Sequence, residues 1–142
     1  MIPLVATAAA TLFITGIGWI VQAVAYPLFS LVGEERFRAY HAAWSARITA
    51  VVFPPMAIEL FGSLWLAVSP PSGSGRAIAI AGFGCAATAW LSTATLQVPA
   101  HRVLSEGFEP DAHRRLVRSS WVRSAAWTAH SLIVCVMLVA AA

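Results

Sequence analysis

The sequence predicts an all-α integral membrane protein, a bundle of four transmembrane helices with both termini on the non-cytoplasmic side. Three observations lead there. The 142-residue chain is 59% hydrophobic and only 11% charged, where soluble domains carry about 25% charged residues. Four apolar stretches are each long enough to cross a bilayer, and the basic residues fall almost wholly on one side of them. A soluble core of this size could not hide so much apolar surface behind so few charges, so lipid must solvate much of it. A mean hydropathy of +0.76 excludes a disordered chain, and the lack of a solvated basic face excludes nucleic acid as a partner.

A hydrocarbon core about 30 Å thick needs roughly 20 apolar residues in helix. Stretches at about 3–28, 48–68, 77–99 and 121–141 meet that need, and together they form a single transmembrane domain. The first opens MIPLVATAAA, without the positive n-region of a signal peptide, and runs too far for a signal core; it is expected to be a retained span. The second helix should begin at about Glu34, inside the charged segment 29–47. It carries Pro54-Pro55, which should kink it and open carbonyls toward a cavity. SPPSGSG at 69–75 makes a short turn into the third span. The fourth helix should begin at about Pro110, since proline suits a first helical turn. Helices 2 and 4 would thus extend past the membrane on the cytoplasmic side. Gly16–Gly18 and Gly82–Gly84 lie inside spans, where small residues let helices approach closely. Cys85 and Cys135 stand alone in apolar stretches and read as packing residues. No repeat, P-loop or H-E-x-x-H sequence is present.

With four crossings the two charged segments share one side. Arg36, Arg38, Arg47, Arg102, Arg114, Arg115, Arg118 and Arg123 lie there, against Arg76 alone on the other. The positive-inside rule then makes that side cytoplasmic and puts both termini outside. Trp44, Trp65 and Trp121 fall at expected span ends, with Trp19 and Trp90 near them, where indole favours the interface. The arginines of the last segment would meet anionic headgroups, and His113 among them reads as a solvated helix residue.

Polar groups inside spans carry the functional question, because an ionisable group near the midplane costs at least about 2.5 kcal/mol and normally faces a partner. Glu59 lies about 16 Å into the second span at 1.5 Å per residue, and His130 is at a similar depth in the fourth. If their faces meet, they form either a structural hydrogen bond between helices or a proton-relay pair. A second group gathers at the cytoplasmic ends: Gln22 and Tyr26, Gln97 and His101, Tyr40, His41 and Arg47, Trp121 and Arg123. Helical spacing puts Gln97 with His101, His41 with Glu59, and Arg123 with His130 on shared faces. Three inward polar stripes make a polar pocket that opens to the cytoplasm and ends near Glu59 and His130. His41 with His101 could ligate a metal, since imidazole is the commonest metal ligand. Two histidines without a Glu-x-x-His pair fall short of a di-iron signature, so the cofactor stays unknown.

The run AYPLFSLVGEERFRAYHAAWSARITAVVFPPM, followed by LQVPAHRVL and SSWVRSAAW, resembles a family of small four-helix membrane proteins that includes the fungal anthrone oxygenases and many bacterial members. In that family the third helix ends in an amide-containing V-P motif with a polar residue and arginine after it, matched here by Gln97, Val98, Pro99, His101 and Arg102. The fourth opens with a paired tryptophan and asparagine and an arginine, matched by Ser120, Trp121 and Arg123. Serine at 120 departs from the family's asparagine, so no amide role is carried to that position. The resemblance implies oxygenation of an electron-rich aromatic such as an anthrone, admitted from the membrane. It implies His41 or His101 as the base, Arg123 with Gln97 as stabilisers of the anion, and Glu59 with His130 as groups that orient the base or relay its proton.

Three readings stay open on the residues themselves. The first is a membrane oxidoreductase or oxygenase acting on a lipophilic aromatic or quinone-like small molecule. The second is a proton-coupled carrier using Glu59 and His130, which with four helices and no repeat would require a homo-oligomer. The third is a non-catalytic subunit or binding module of a membrane complex, in which the polar residues only join helices.

Overall fold

The computed structural model describes all 142 residues and contains no strand. Four helices make up the chain: α1 Ile2–Leu31, α2 Glu34–Val68, α3 Arg76–Leu104 and α4 Pro110–Ala140. Each is long and apolar enough to cross a membrane, which by composition makes the chain a multi-pass membrane protein. The apolar surface supports this. Phe13, Phe61, Leu91, Leu132 and Val139 are among the many large hydrophobics left exposed, a pattern that a water-soluble monomer avoids.

The helices run up and down in a ring, each packed on its two neighbours in sequence, with α4 closing on α1. The turn from α2 to α3 bends at Gly73, whose φ of 82° suits glycine alone. A Cβ there would also run into the Ala140 carbonyl, so this turn sits against the end of α4. α2 and α4 begin where the sequence indicated. Glu109 caps α4, accepting from the backbone N–H groups of Asp111 and Ala112 ahead of Pro110.

Three packed layers fill the bundle. Leu4, Leu66, Ala79 and Met137 form the layer at the end that carries the termini. Ile14, Met56, Ala89, Ala126 and Trp127 form the middle. Tyr26, Phe29, Phe37, Leu104 and Leu116 belong to the layer at the charged end.

Glycines set how closely the helices meet. A Cβ on Gly18 would stand 2.7 Å from the Trp127 ring, and one on Gly82 would stand 3.3 Å from His130. Gly16 and Gly84 have open space instead, so only one residue of each glycine pair serves packing. Gly62, which the sequence pattern did not single out, meets Thr7 across the α1–α2 contact. Cys85 is half-buried, whereas Cys135 is exposed on the outer surface of α4 and packs against nothing inside.

The expected break at Pro54-Pro55 is not where the helices are irregular. α2 runs unbroken through both prolines, and the residues whose carbonyls lose a donor, Ala50 and Val51, are exposed. The irregularities lie in α1 and α3, as wide π-turns at Val21–Ala25 and Thr93–Gln97. In each, the residue before a proline bonds five back: Tyr26 N–H to Val21 O, and Val98 N–H to Thr93 O. Pro27 and Pro99 follow directly. Proline has no N–H to lose and its ring clashes with the carbonyl four back, so a wider turn just ahead of it relieves the clash. Both π-turns lie beside the cavity described next.

Candidate functional site

α1 and α4 are joined by a polar seam. Trp19 Nε1 donates to Thr128 Oγ1 at 3.1 Å, Thr15 and Ser131 hydroxyls meet at 2.8 Å, and Ser120 donates to Gln22 Oε1. Gln97 Nε2 ties α3 to α4 through Ser119 Oγ at 3.1 Å. Such bonds between small polar residues hold helices together in lipid, where the hydrophobic effect between them is absent. α2 has no such tie along its middle: between His41 and Met56 not one of its residues is buried. The space left there is a cavity of about 130 Å³.

The cavity wall is mostly apolar, with Ile14, Val21, Ile48, Val52 and Met56 among its residues. Its polar members are few: Tyr26, Ser45, Thr49, Thr93, Gln97, His101 and Arg123. Arg123 is the one charged group. It is 9% exposed and has no carboxylate within ion-pair distance. Its Nη2 donates to Tyr26 Oη at 3.3 Å, while its buried Nε has no partner. Ser45 Oγ, on the α2 side of the wall, is likewise buried and unpartnered. A buried guanidinium with an idle donor costs free energy that an anionic or carbonyl oxygen would recover.

From Arg123 a chain of rings runs toward the charged end. Tyr26 Oη lies 3.1 Å from His101 Nε2, and His101 Nδ1 lies 3.0 Å from His41 Nε2. Arginine can only donate, so Tyr26 receives from it and passes its own O–H to His101. His101 then carries its proton on Nδ1 and donates to His41, whose buried Nδ1 ends the chain without a partner. The opposite direction would strand the Tyr26 hydroxyl proton as well, so donation away from the cavity satisfies more groups. Trp44 stacks on His101 at 5.5 Å and fixes its ring plane.

On the other side of Arg123 stands Trp127. Its ring lies 5.1 Å from the guanidinium carbon, and its Nε1 donates to Glu59 Oε2 at 2.9 Å. Glu59 is 0% exposed, and its second oxygen accepts from His130 Nδ1 at 2.7 Å. The structure therefore brings Glu59 and His130 together, as their similar depths allowed, and adds an indole that sequence reasoning did not single out. One signal for it was present: Arg123, Trp127 and His130 are spaced four and three apart on one helix face.

Of the six singled-out site residues, Gln97, His101 and Arg123 line the cavity. His41 lies behind His101, and Glu59 and His130 lie behind Trp127. The pocket thus stops at Trp127 and does not reach Glu59. Nor does it open to the charged end, where the buried rings of Phe29 and Phe37 with Leu104 and Leu116 fill the bundle. Gln97 is occupied by helix-packing bonds, accepting from Ser92 Oγ at 3.2 Å and donating to Ser119. Ser92 and Gln97, five apart, share a face because the π-turn lies between them. His113 is no solvated residue: its Nε2 donates to the Tyr26 carbonyl at 2.7 Å, and its ring packs on Phe29 and Phe108.

The donor set fits an anion better than a metal. His41 and His101 face each other at hydrogen-bond distance, no third His, Cys, Asp or Glu joins them, and a guanidinium stands one residue away through Tyr26. A cation there would meet a like charge. No family model, no curated protein and no solved structure matches the chain.

Proposed function

We propose that this chain is a membrane-embedded oxidoreductase or oxygenase that acts on a lipophilic aromatic able to become an anion, as the likeness to the anthrone oxygenase family implies. One observation carries the reading: Arg123, without a counter-ion, in an apolar cavity at the head of a hydrogen-bond chain that leads protons away. An enol or phenol oxygen would sit on Arg123 Nε and Ser45 Oγ while its rings fill the apolar wall. Tyr26, as it gives its proton to His101, takes one from the activated carbon. The carbanion so formed, stabilised by Arg123 as an enolate, would give its electrons to dioxygen, the co-reactant. A C–O bond forms, the outer oxygen takes back the proton through Tyr26 to give a hydroperoxide, and loss of water, which breaks the second C–H and the O–O bond, leaves a carbonyl: CH₂ plus O₂ becomes C=O plus H₂O.

In this reading Glu59 and His130 are positioning residues. They hold Trp127, and through it the guanidinium, while His41 completes the proton chain behind His101. The eight-to-one arginine split supports an orientation with the charged segments cytoplasmic and both termini outside.

Mass spectrometry of small molecules and metals that co-purify with the detergent-solubilised protein tests the reading. A lipophilic phenol or enol retained by the wild type and lost from Arg123→Gln supports it. A protein that retains no such molecule, and binds none when offered hydroxyaromatics, sinks it. Reporter fusions at the C-terminus test the orientation; a cytoplasmic reporter signal would reverse it.

A further inference from the structure

We infer that the cavity opens sideways, through a window between α2 and α3, and that a planar lipophilic acid reaches Arg123 from the lipid phase by that route. The inference rests on reading the cavity as a site for such an acid. Of all the residues that line it, two are exposed: Thr49 on α2 and Val98 on α3. The lining residues of α1 and α4 are buried or half-buried, in keeping with the seam that sews those helices together. α2 contributes a stripe at 45, 49, 52 and 56 that faces the cavity, yet stays unburied until Met56. The lower part of α3, from its π-turn onward, packs its backbone principally on α4 and meets α2 through long side chains, as His101 meets His41 and Trp44.

The window has a frame. At one end Trp90 Nε1 donates across it to the Met56 carbonyl at 3.1 Å. At the other Trp44 stacks on His101. Between these two tryptophans the rim is formed by Thr49, Val52, Thr93 and Val98, which offer methyl groups and no charge. Such a rim passes an apolar ring and turns back hydrated ions, since burying an unpaired charge is costly. Water has no comparable route, because the aromatic layer at the charged end is closed. An opening at this level faces acyl chains, which hold a partitioned aromatic at high local concentration. The guanidinium inside then selects among lipophilic molecules for those with an acidic or anionic oxygen.

The test uses 1-hydroxyanthracene as probe and the full chain in phosphatidylcholine vesicles, with stopped-flow energy transfer from the tryptophans to the probe. In a Thr49→Phe/Val98→Phe double variant, association and dissociation should both slow about ten-fold or more, because an obstructed path slows entry and exit alike whereas a damaged site slows entry and speeds exit. Thr49→Ala/Val98→Ala should speed both rates. Ala46→Phe, on an exposed position of α2 outside the lining, should change neither. Circular dichroism checks that each variant is folded. If wild type binds the probe and neither rim variant alters its rates, the window is wrong and the cavity reading stands. If wild type binds no better than Arg123→Gln, the cavity reading fails and the window with it.

Discussion

Arg123 and Glu59, the two buried charges of opposite sign, do not pair; the indole of Trp127 stands between them, donating to Glu59 Oε2 at 2.9 Å and lying 5.1 Å from the guanidinium carbon. An ion pair would have neutralised the cavity. Instead Glu59 is satisfied by Trp127 and His130, and Arg123 keeps its charge for whatever enters.

Removing a partner of Glu59 should be costly. His130→Ala leaves a buried carboxyl group half-satisfied, and stranding a buried hydrogen-bond acceptor costs about 1–3 kcal/mol. Glu59→Gln, which keeps size and removes charge, should cost less. Thermal unfolding in detergent compares them; equal midpoints for wild type and His130→Ala would contradict the assignment.

Arg123 should behave in the opposite way. Arg123→Met removes a buried charge that has no counter-ion, so the folded protein should be as stable as wild type or more so. Turnover of a hydroxyaromatic substrate should fall by about 10²–10³-fold, the usual effect of losing one anion-stabilising donor. A variant that is both unstable and active would reverse the argument.

Tyr26, His101 and His41 act as one chain, so their losses should not add. Tyr26→Phe and His41→Ala, measured singly and together for substrate proton exchange, should give a coupling of about 0.5–3 kcal/mol. Additive effects would mean that the rings are neighbours without a shared proton path.

Gly18 tests the close approach of α1 to α4. Gly18→Ala places a methyl 2.7 Å from the Trp127 ring, and overpacking of this kind costs about 1–3 kcal/mol. It should also shift the fluorescence of Trp127. Gly16→Ala, with nothing within 4 Å, should be neutral, and serves as the control in the same unfolding assay.

Glu109 gives a pH dependence outside the membrane. The backbone N–H groups of Asp111 and Ala112 hold its carboxyl below the usual glutamate range. Its folded pKa is thus depressed, so its contribution to the α4 terminus is present above the unfolded glutamate pKa and is lost as pH falls through the lower folded value. The protection of the Asp111 and Ala112 amides, taken relative to the intrinsic exchange rate at each pH, should fall in acid, and Glu109→Ala should abolish that acid-dependent change.

Composition and the spacing of apolar stretches determined the four helices, the starts of α2 and α4 and the single charged end, because bilayer thickness and desolvation act on each segment alone. The common depth of Glu59 and His130 was legible for the same reason, but their meeting at 2.7 Å depended on how the faces of α2 and α4 turn across the bundle. Trp127, which the sequence did not single out, becomes the partition between two charges only once α1, α2 and α4 are packed. The π-turns were hidden because a five-residue gap such as Ser92 to Gln97 breaks helical phase, and only the neighbouring helices make that break worth its cost. Tertiary structure alone decided that the pocket is closed at the charged end and thinnest beside α2: where a cavity opens depends on which helix pairs are sewn together, and hydrogen bonds between distant residues settle that.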